Sequence, residues 1–302
     1  MEGRIEPTVL VARPSSLLRD DFHLARRNLL SRAMAGLLAF CAGLTVFVLV
    51  LILLYVVVKG MPALLNWDFF FDRERSLLLG NERGGIGPAI LGTMIMLVVA
   101  SAIGVPVGIL TAIYLSEFGR GRFATLVRFV VDLLSGFPSI VIGVFIWTIL
   151  VRTRVIADGF SGAAGAAALS VIMIPIVTKT VEEVLRLVPG NLREASLALG
   201  VPHWRTILWV VLPAARSGII TGAILAVARA GGETAPLLLA AGSNRFFTAD
   251  IFEPMASMPV YIYTYTFSPF AVLNQRAWGT AMVLIVTIGL LSLLTRLVTR
   301  RR

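Results

Sequence analysis

Six stretches of the chain are continuously apolar over many residues, and polar segments separate them. They cover about 33–58, 86–115, 126–151, 163–178, 214–241 and 278–298, the fourth being short and alanine-rich. A helix rises about 1.5 Å per residue, so ~20 apolar residues cross the hydrocarbon core of a bilayer. The pattern predicts an all-α polytopic membrane protein with six transmembrane helices. The helices are not smooth rods. Gly104/Gly108 and Gly218/Gly222 have the GxxxG spacing that lets helix backbones approach, which we read as ordinary packing within the bundle. Pro106, Pro138, Pro175 and Pro236 each remove an intrahelical hydrogen bond, which suits kinked helices. Polarity returns most distinctly in 189–213. There Asn191 and Glu194 suggest a capping box for a short helix over 192–199. Gly200 suits its C′ position, and Pro202 the first turn of a second helix.

Composition agrees with the pattern. The 302 residues are 57% hydrophobic and 15% charged, with mean hydropathy +0.88. A soluble domain carries ~25% charged residues, so much of this surface must face lipid. A soluble enzyme, a disordered chain and a disulfide scaffold are excluded. The net charge of +10 would suggest nucleic acid in a soluble protein, but no such binding pattern is present. Its distribution gives topology instead. Of 27 Lys and Arg, 18 fall in, or within three residues of, the N-terminal arm, the second-to-third and fourth-to-fifth connections and the C-terminus, and 8 in the opposite set. The positive-inside rule puts both termini in the cytoplasm. Segments 59–85, 152–162 and 242–277 then face outward. The last is rich in aromatics and proline and is expected to rest on the membrane surface or a partner. The first apolar stretch is too long for a signal peptide and reads as a retained helix after a basic arm, 1–32. The permease domain is expected over 33–299 with a short tail, 300–302. The single cysteine, Cys41, and the two histidines, His23 and His203, have no ligand spacing, so no metal site is assigned.

Transport needs energy, yet the chain has no P-loop. Its two lysines, Lys59 and Lys179, do not follow a glycine. No hydrolase elbow or metalloprotease motif is present either. The chain is expected to be no enzyme and to hold no cofactor. ATP and magnesium would sit on another subunit.

The loop 189–213 reads PGNLREASLALGVPHWRTILWVVLP. Leu192, Ala195, Ser196 and Leu199 fall on one small, largely apolar face that suits docking in a groove. Glu194-Ala195, Gly200 and Leu212-Pro213 resemble the EAA motif of ABC-importer permeases, with Ser196 where a second alanine is common. In that family the loop carries a coupling helix that seats in a cytoplasmic ATPase. The resemblance therefore implies a type I ABC-importer permease fold and an ATPase contact at Arg193, Glu194, Ala195, Ser196, Leu199, Gly200 and Pro213.

Two further segments narrow the resemblance: 135–143, SGFPSIVIG, and 228–238, ARAGGETAPLL. With the Pro-Val-Tyr-Ile-Tyr stretch and Ser268-Pro269, they are similar to the permeases of phosphate-specific transport, PstA type. The sister PstC type shares the Gly-Glu-Thr element. The similarity covers about 86–298. It implies a homologous permease as heterodimer partner, a cytoplasmic ATPase dimer, an extracytoplasmic phosphate-binding protein and location in the cell membrane. Independently, Arg229 and Glu233 are four residues apart and would share one helix face. Charges inside a membrane are costly and imply pairing, a water-filled path, or both. Arg229, Glu233 and Thr234 are the substrate-path candidates, with a structural ion pair as the alternative role. Alternatives for the whole chain are an ABC permease for another anion and a carrier driven by an ion gradient, with Asp132 and Glu233 as relays. Arg128 and Asp132 are expected to pair along one helix. Lys179, Glu182, Glu183 and Arg186 are expected to form a solvated face, with Lys179 and Arg186 near the ATPase.

Overall fold

A computed structural model describes residues 17–74 and 84–300, with side chains over 26–74 and 84–293. The first half of the N-terminal arm, part of the first outer segment and residues 301 and 302 lie outside the described residues. The order is α1 Leu17–Leu64, a one-turn α2 Asp68–Phe71, α3 Gly87–Ile113, α4 Arg122–Gly136, α5 Ser139–Ile146 and α6 Gly162–Leu187. There follow α7 Gly190–Ala198, α8 His203–Thr206, α9 Leu212–Ala230, α10 Ala235–Ala240, α11 Met258–Thr266 and α12 Ala271–Arg300. Wide π-type turns extend α3 (Tyr114–Phe118) and α5 (Trp147–Val151), and Ile207–Val211 joins α8 to α9. Contacts cluster into two units, 1–55 and 56–302. In the first, α1 is apolar on all sides over 33–55, with Leu38, Phe40 and Phe47 exposed.

Among the described residues, five helices are long and apolar enough to cross a membrane. Counting α4 and α5 as one broken span gives the expected six. That third span departs from the sequence reading, because it bends by 105°. The cause is local. Pro138 has no N–H, and its ring pushes Phe137 into an extended conformation, φ −69° and ψ 136°. The fifth span also differs: α9 stops at Ala230, residues 231–234 leave the helix, and Pro236 sits in the first turn of α10. Pro106 and Pro175, by contrast, lie inside unbroken α3 and α6.

The fourth span is the hub of the second unit. Two-thirds of its most apolar window is buried, against a third or less in the other long helices. Small residues make this possible. A side-chain carbon on Gly104 would lie 3.1 Å from Met173, and one on Gly108 2.6 Å from Val177. On another face Gly222 would meet Thr180 at 2.8 Å, and Gly218 lies against Val184. Both GxxxG pairs are therefore packing seams, through which α3 and α9 close on α6. The helix runs past the apolar stretch ending at Thr178 to Leu187, and Lys179 and Glu182 in its last turns pair across to α4.

The start of α6 shows what the 242–277 segment does. The Gly162 N–H donates to the Glu253 carbonyl (2.9 Å) and the Ala163 N–H to that of Ile251 (2.7 Å). The Ala164 N–H donates to Ser161 Oγ and the Gly165 N–H to the Ser161 carbonyl. The first-turn donors of this helix are thus all satisfied. Residues 255–261 are buried, and the Met258 N–H donates to Thr93 Oγ1 of α3 at 2.8 Å. The expectation that the segment rests on the membrane or a partner is corrected here: its middle is core, and α11 packs on α12 and α3.

Filling a seam tests this packing. Gly108→Val is expected to destabilise the detergent-solubilised protein by about 1–3 kcal/mol through overpacking against Val177. Gly136→Ala, which meets nothing within 4 Å, should be neutral or slightly stabilising. Thermal unfolding of the two variants measures the difference.

Candidate functional site

Two places collect the candidate residues. The first is the loop 189–213. Its short helix begins at Gly190, two residues earlier than expected, because extended Pro189 (ψ 136°) ends the preceding turn and lets a helix start at once. Asn191 therefore lies inside α7, and no side-chain cap forms, so the expected capping box is absent. The C-terminal expectation stands. Gly200 adopts φ +78°, its N–H donates to the Leu197 carbonyl, and the Val201 N–H donates to that of Ser196. This is the paired closure of a helix end that a left-handed residue permits. Pro202 caps α8 from just outside rather than standing in its first turn.

Arg193 ties this loop to the bundle. Its guanidinium donates to both carboxylate oxygens of Glu117, at 2.7 and 3.2 Å. It also donates to the carbonyls of Leu185 (2.9 Å) and Val188 (2.7 Å). A planar fork can satisfy this many acceptors; an ammonium could not match the bidentate part. Glu117 is almost fully buried, its side chain 4% exposed. On the same inner face Ser196 is buried and shares a 2.9 Å hydrogen bond with Thr206 of α8. Phe118 adds an edge-on contact with His203, ring centroids 5.2 Å apart. Ser196 thus corrects the expected docking face: its hydroxyl is used inside the chain. Leu192, Glu194, Ala195 and Leu199 remain exposed, Leu199 at 84%. Pro213 is exposed in the first turn of α9.

The second place is a cavity of about 440 Å³ between the break in the third span, α6 and the end of α9. Ser135, Pro138 and Ser139 line one side, Pro175, Lys179 and Thr180 another, and Arg229 and Glu233 a third. Arg229 and Glu233 do share this space, but not as a pair along one helix. The helix ends between them, and no ion pair within 4.0 Å joins them. Thr234, half-buried before α10, does not line the cavity. Arg229 is exposed in the single chain and Glu233 half-buried.

The expected Arg128–Asp132 pair is also replaced. Arg128 reaches across to Glu182 at 3.1 Å and donates to the Leu115 carbonyl at 2.8 Å. Asp132 accepts from Lys179 at 2.8 Å. Glu182 takes a second contact from Arg186 at 2.5 Å, and its side chain is 12% exposed. The expected solvated face is therefore, at Glu182, a packed crossing of charges between helices. Sequence reading missed Glu117 and these cross-helix partners. The available signal was an acid, Glu117, at the end of a long apolar stretch.

A separate polar cluster lies elsewhere in this unit. Glu74 accepts from the Tyr265 hydroxyl and from Arg245 Nε (3.3 Å). Burial, with the nearby Glu74 carboxylate, pushes the Tyr265 phenol up to about 12. Among the described residues no group of three or more His, Cys, Asp or Glu is placed to hold a metal ion.

Comparison with known proteins gives concordant results. Residues 104–302 match the family described as binding-protein-dependent transport system inner membrane component. The phosphate transport system permease protein PstA of Haemophilus influenzae is 42% identical over 268 residues, 88% of this chain and 93% of that protein. The protein of the same name from Pasteurella multocida is 41% identical over 279 residues, 92% of this chain and 97% of that one. The one from Mycobacterium leprae is 41% identical over 244 residues, 80% and 79%. Among solved structures, an inward-facing MetNI methionine ABC transporter chain aligns with TM-score 0.55 and 21% identity, over 74% of this chain and 95% of that chain.

The Arg193 anchor is testable without any transport assay. Removing one partner of a buried pair leaves an uncompensated charge and costs about 3–5 kcal/mol. Arg193→Ala is expected to lower thermal stability accordingly and to open the 189–213 loop to limited proteolysis. Exposed Glu194→Ala should do neither.

Proposed function

The chain belongs to the binding-protein-dependent transport system inner membrane components, and we propose that it is a membrane subunit of an ATP-driven importer of inorganic phosphate. As a member of that family it is a multi-pass inner-membrane permease that works with other components of an ABC importer. It is a transporter component, and the energy enters at a partner ATPase. The observation that carries the phosphate reading is the cavity where Arg229 and Lys179 meet a single lining carboxylate, Glu233. Lys179 is offset by Asp132 at 2.8 Å, and the cation that favours an anion is Arg229, which has no ion pair within 4.0 Å among the described residues. The phosphate permeases that align over most of the chain support the particular anion.

The physics of the path follows. An anion shedding water needs compensating charge, and a guanidinium offers planar donors that match phosphate oxygens. A deep, unopposed cation would hold phosphate too long. Glu233, lining the same cavity, lowers that affinity. The two broken spans border this cavity, and irregular backbone at membrane depth is tolerated where protein lines a cavity. This chain forms half of the path, and a homologous permease forms the other half. A phosphate-binding protein delivers cargo outside, and the bundle alternates its access as the ATPases close and open.

Orientation rests on the basic residues, which concentrate at both termini and around 189–213 and so place these in the cytoplasm. The ATPase then meets the outer face of α7: Leu192, Glu194, Ala195 and Leu199. Arg193 and Ser196 hold that face from behind, Gly200 closes the helix, and Pro213 starts the helix that carries Arg229.

Phosphate uptake in cells where this chain is the only copy, with its partner subunits present, tests the reading. Arg229→Gln, at matched membrane levels and still bound to the ATPase, is expected to lose uptake by at least about tenfold. A variant that transports normally would reduce Arg229 to a structural role. A wild type that imports no phosphate would remove the substrate assignment. For coupling, Leu199→Arg is expected to abolish copurification of the ATPase while leaving the thermal stability of the permease within about 0.5 kcal/mol, as for an exposed site.

A further inference from the structure

The cavity holds a second cation whose contacts point to a task of its own. Lys179 projects from α6, lines the same cavity as Arg229, and places its ammonium 2.8 Å from Asp132 of α4. Both side chains of that ion pair are well exposed, at 41% and 67%. An ion pair so open contributes little to stability, because water competes and salt screens it. Asp132 itself does not line the cavity. Lys179 thus lines the cavity while its ammonium is paired with a carboxylate that does not.

We propose that Lys179 is a second substrate-contacting residue, an exchangeable cation held by Asp132 when the cavity is empty and taken over by inorganic phosphate when it is filled. The proposal deepens the phosphate-importer reading and rests on it. The side-chain chemistry fits a hand-over. An ammonium on a four-carbon stem is a point charge with rotatable donors, so it can leave one oxygen for another without the strict geometry a guanidinium needs. Arg229 gives fixed recognition from α9, and Lys179 gives mobile charge from α6. Ser139 and Thr180 line the space between the two elements and add hydroxyl donors. Weak retention by Asp132 matters as much as attraction by phosphate. A buried, tightly bound lysine could not be borrowed, and a lysine with no counter-charge would hold the anion back.

The test is uptake of radiolabelled inorganic phosphate by the full complex, at matched membrane levels and with ATPase copurification as the assembly control. Lys179→Gln is expected to lower uptake about tenfold, the loss of a charge-assisted contact, without losing assembly. Lys179→Arg should keep much of it. Asp132→Asn should keep uptake and lower KM, because phosphate no longer competes with a carboxylate. The double variant Lys179→Gln/Asp132→Asn should be as impaired as Lys179→Gln alone. Normal uptake by Lys179→Gln, or recovery in the double variant, would overturn the proposal, since a merely structural pair is repaired when both charges go. The two readings fail differently. An active wild type with an inactive Arg229→Gln and a normal Lys179→Gln removes only the role of Lys179; a wild type inert toward phosphate removes both.

Discussion

The first N–H and last C=O groups of α6 have no partners inside the helix itself, and much of the second unit is arranged around supplying them. Where such a group is buried, leaving it unsatisfied costs about 1–3 kcal/mol, a sizeable part of a protein's margin of stability. At one end the carbonyls of Ile251 and Glu253 and the side chain of Ser161 take the first donors. At the other the Arg193 guanidinium takes the Leu185 and Val188 carbonyls. Ile251 and Glu253 lie far along the chain from the helix start, and Arg193 stands in the loop that follows the helix end. Both 242–277 and 189–213 are therefore drawn onto the bundle by the same helix, one at each end.

With its ends settled, α6 can be approached closely from several sides. Glycine, alanine and serine dominate its first half, and glycines of α3 and α9 meet it where its own side chains are larger. Close approach in lipid gains from van der Waals contact, since no hydrophobic drive separates apolar helix from apolar lipid. This packing leaves the proline breaks in the third and fifth spans facing α6. The cavity is the space that those two breaks leave.

Much of this was readable in the chain. Apolar length gave the spans, GxxxG spacing the seams, and Gly200 the end of α7. The family followed from the loop and from the segments around Pro138 and Glu233. What escaped were relations between distant residues. Spacing alone pairs Arg128 with Asp132 and Arg229 with Glu233, because four residues make one helical face. In the fold, Arg128 and Asp132 turn outward from each other to Glu182 and Lys179, and the helix ends between Arg229 and Glu233. Asn191 and Glu194 had the right spacing for a cap, yet Pro189 had already set the helix start. Local spacing proposes partners; tertiary contacts and proline geometry decide among them.

The clamp at Arg193 has a mechanical consequence. One side chain joins α7 to the wide turn after α3, through Glu117, and to the last carbonyls of α6, while Ser196 joins it to α8 and so to α9. A push on α7 is borne at once by three long helices, two of which line or support the cavity. The short helix is thus a rigid handle rather than a hinged flap. Little of an applied displacement can be absorbed as slack before the bundle itself must turn.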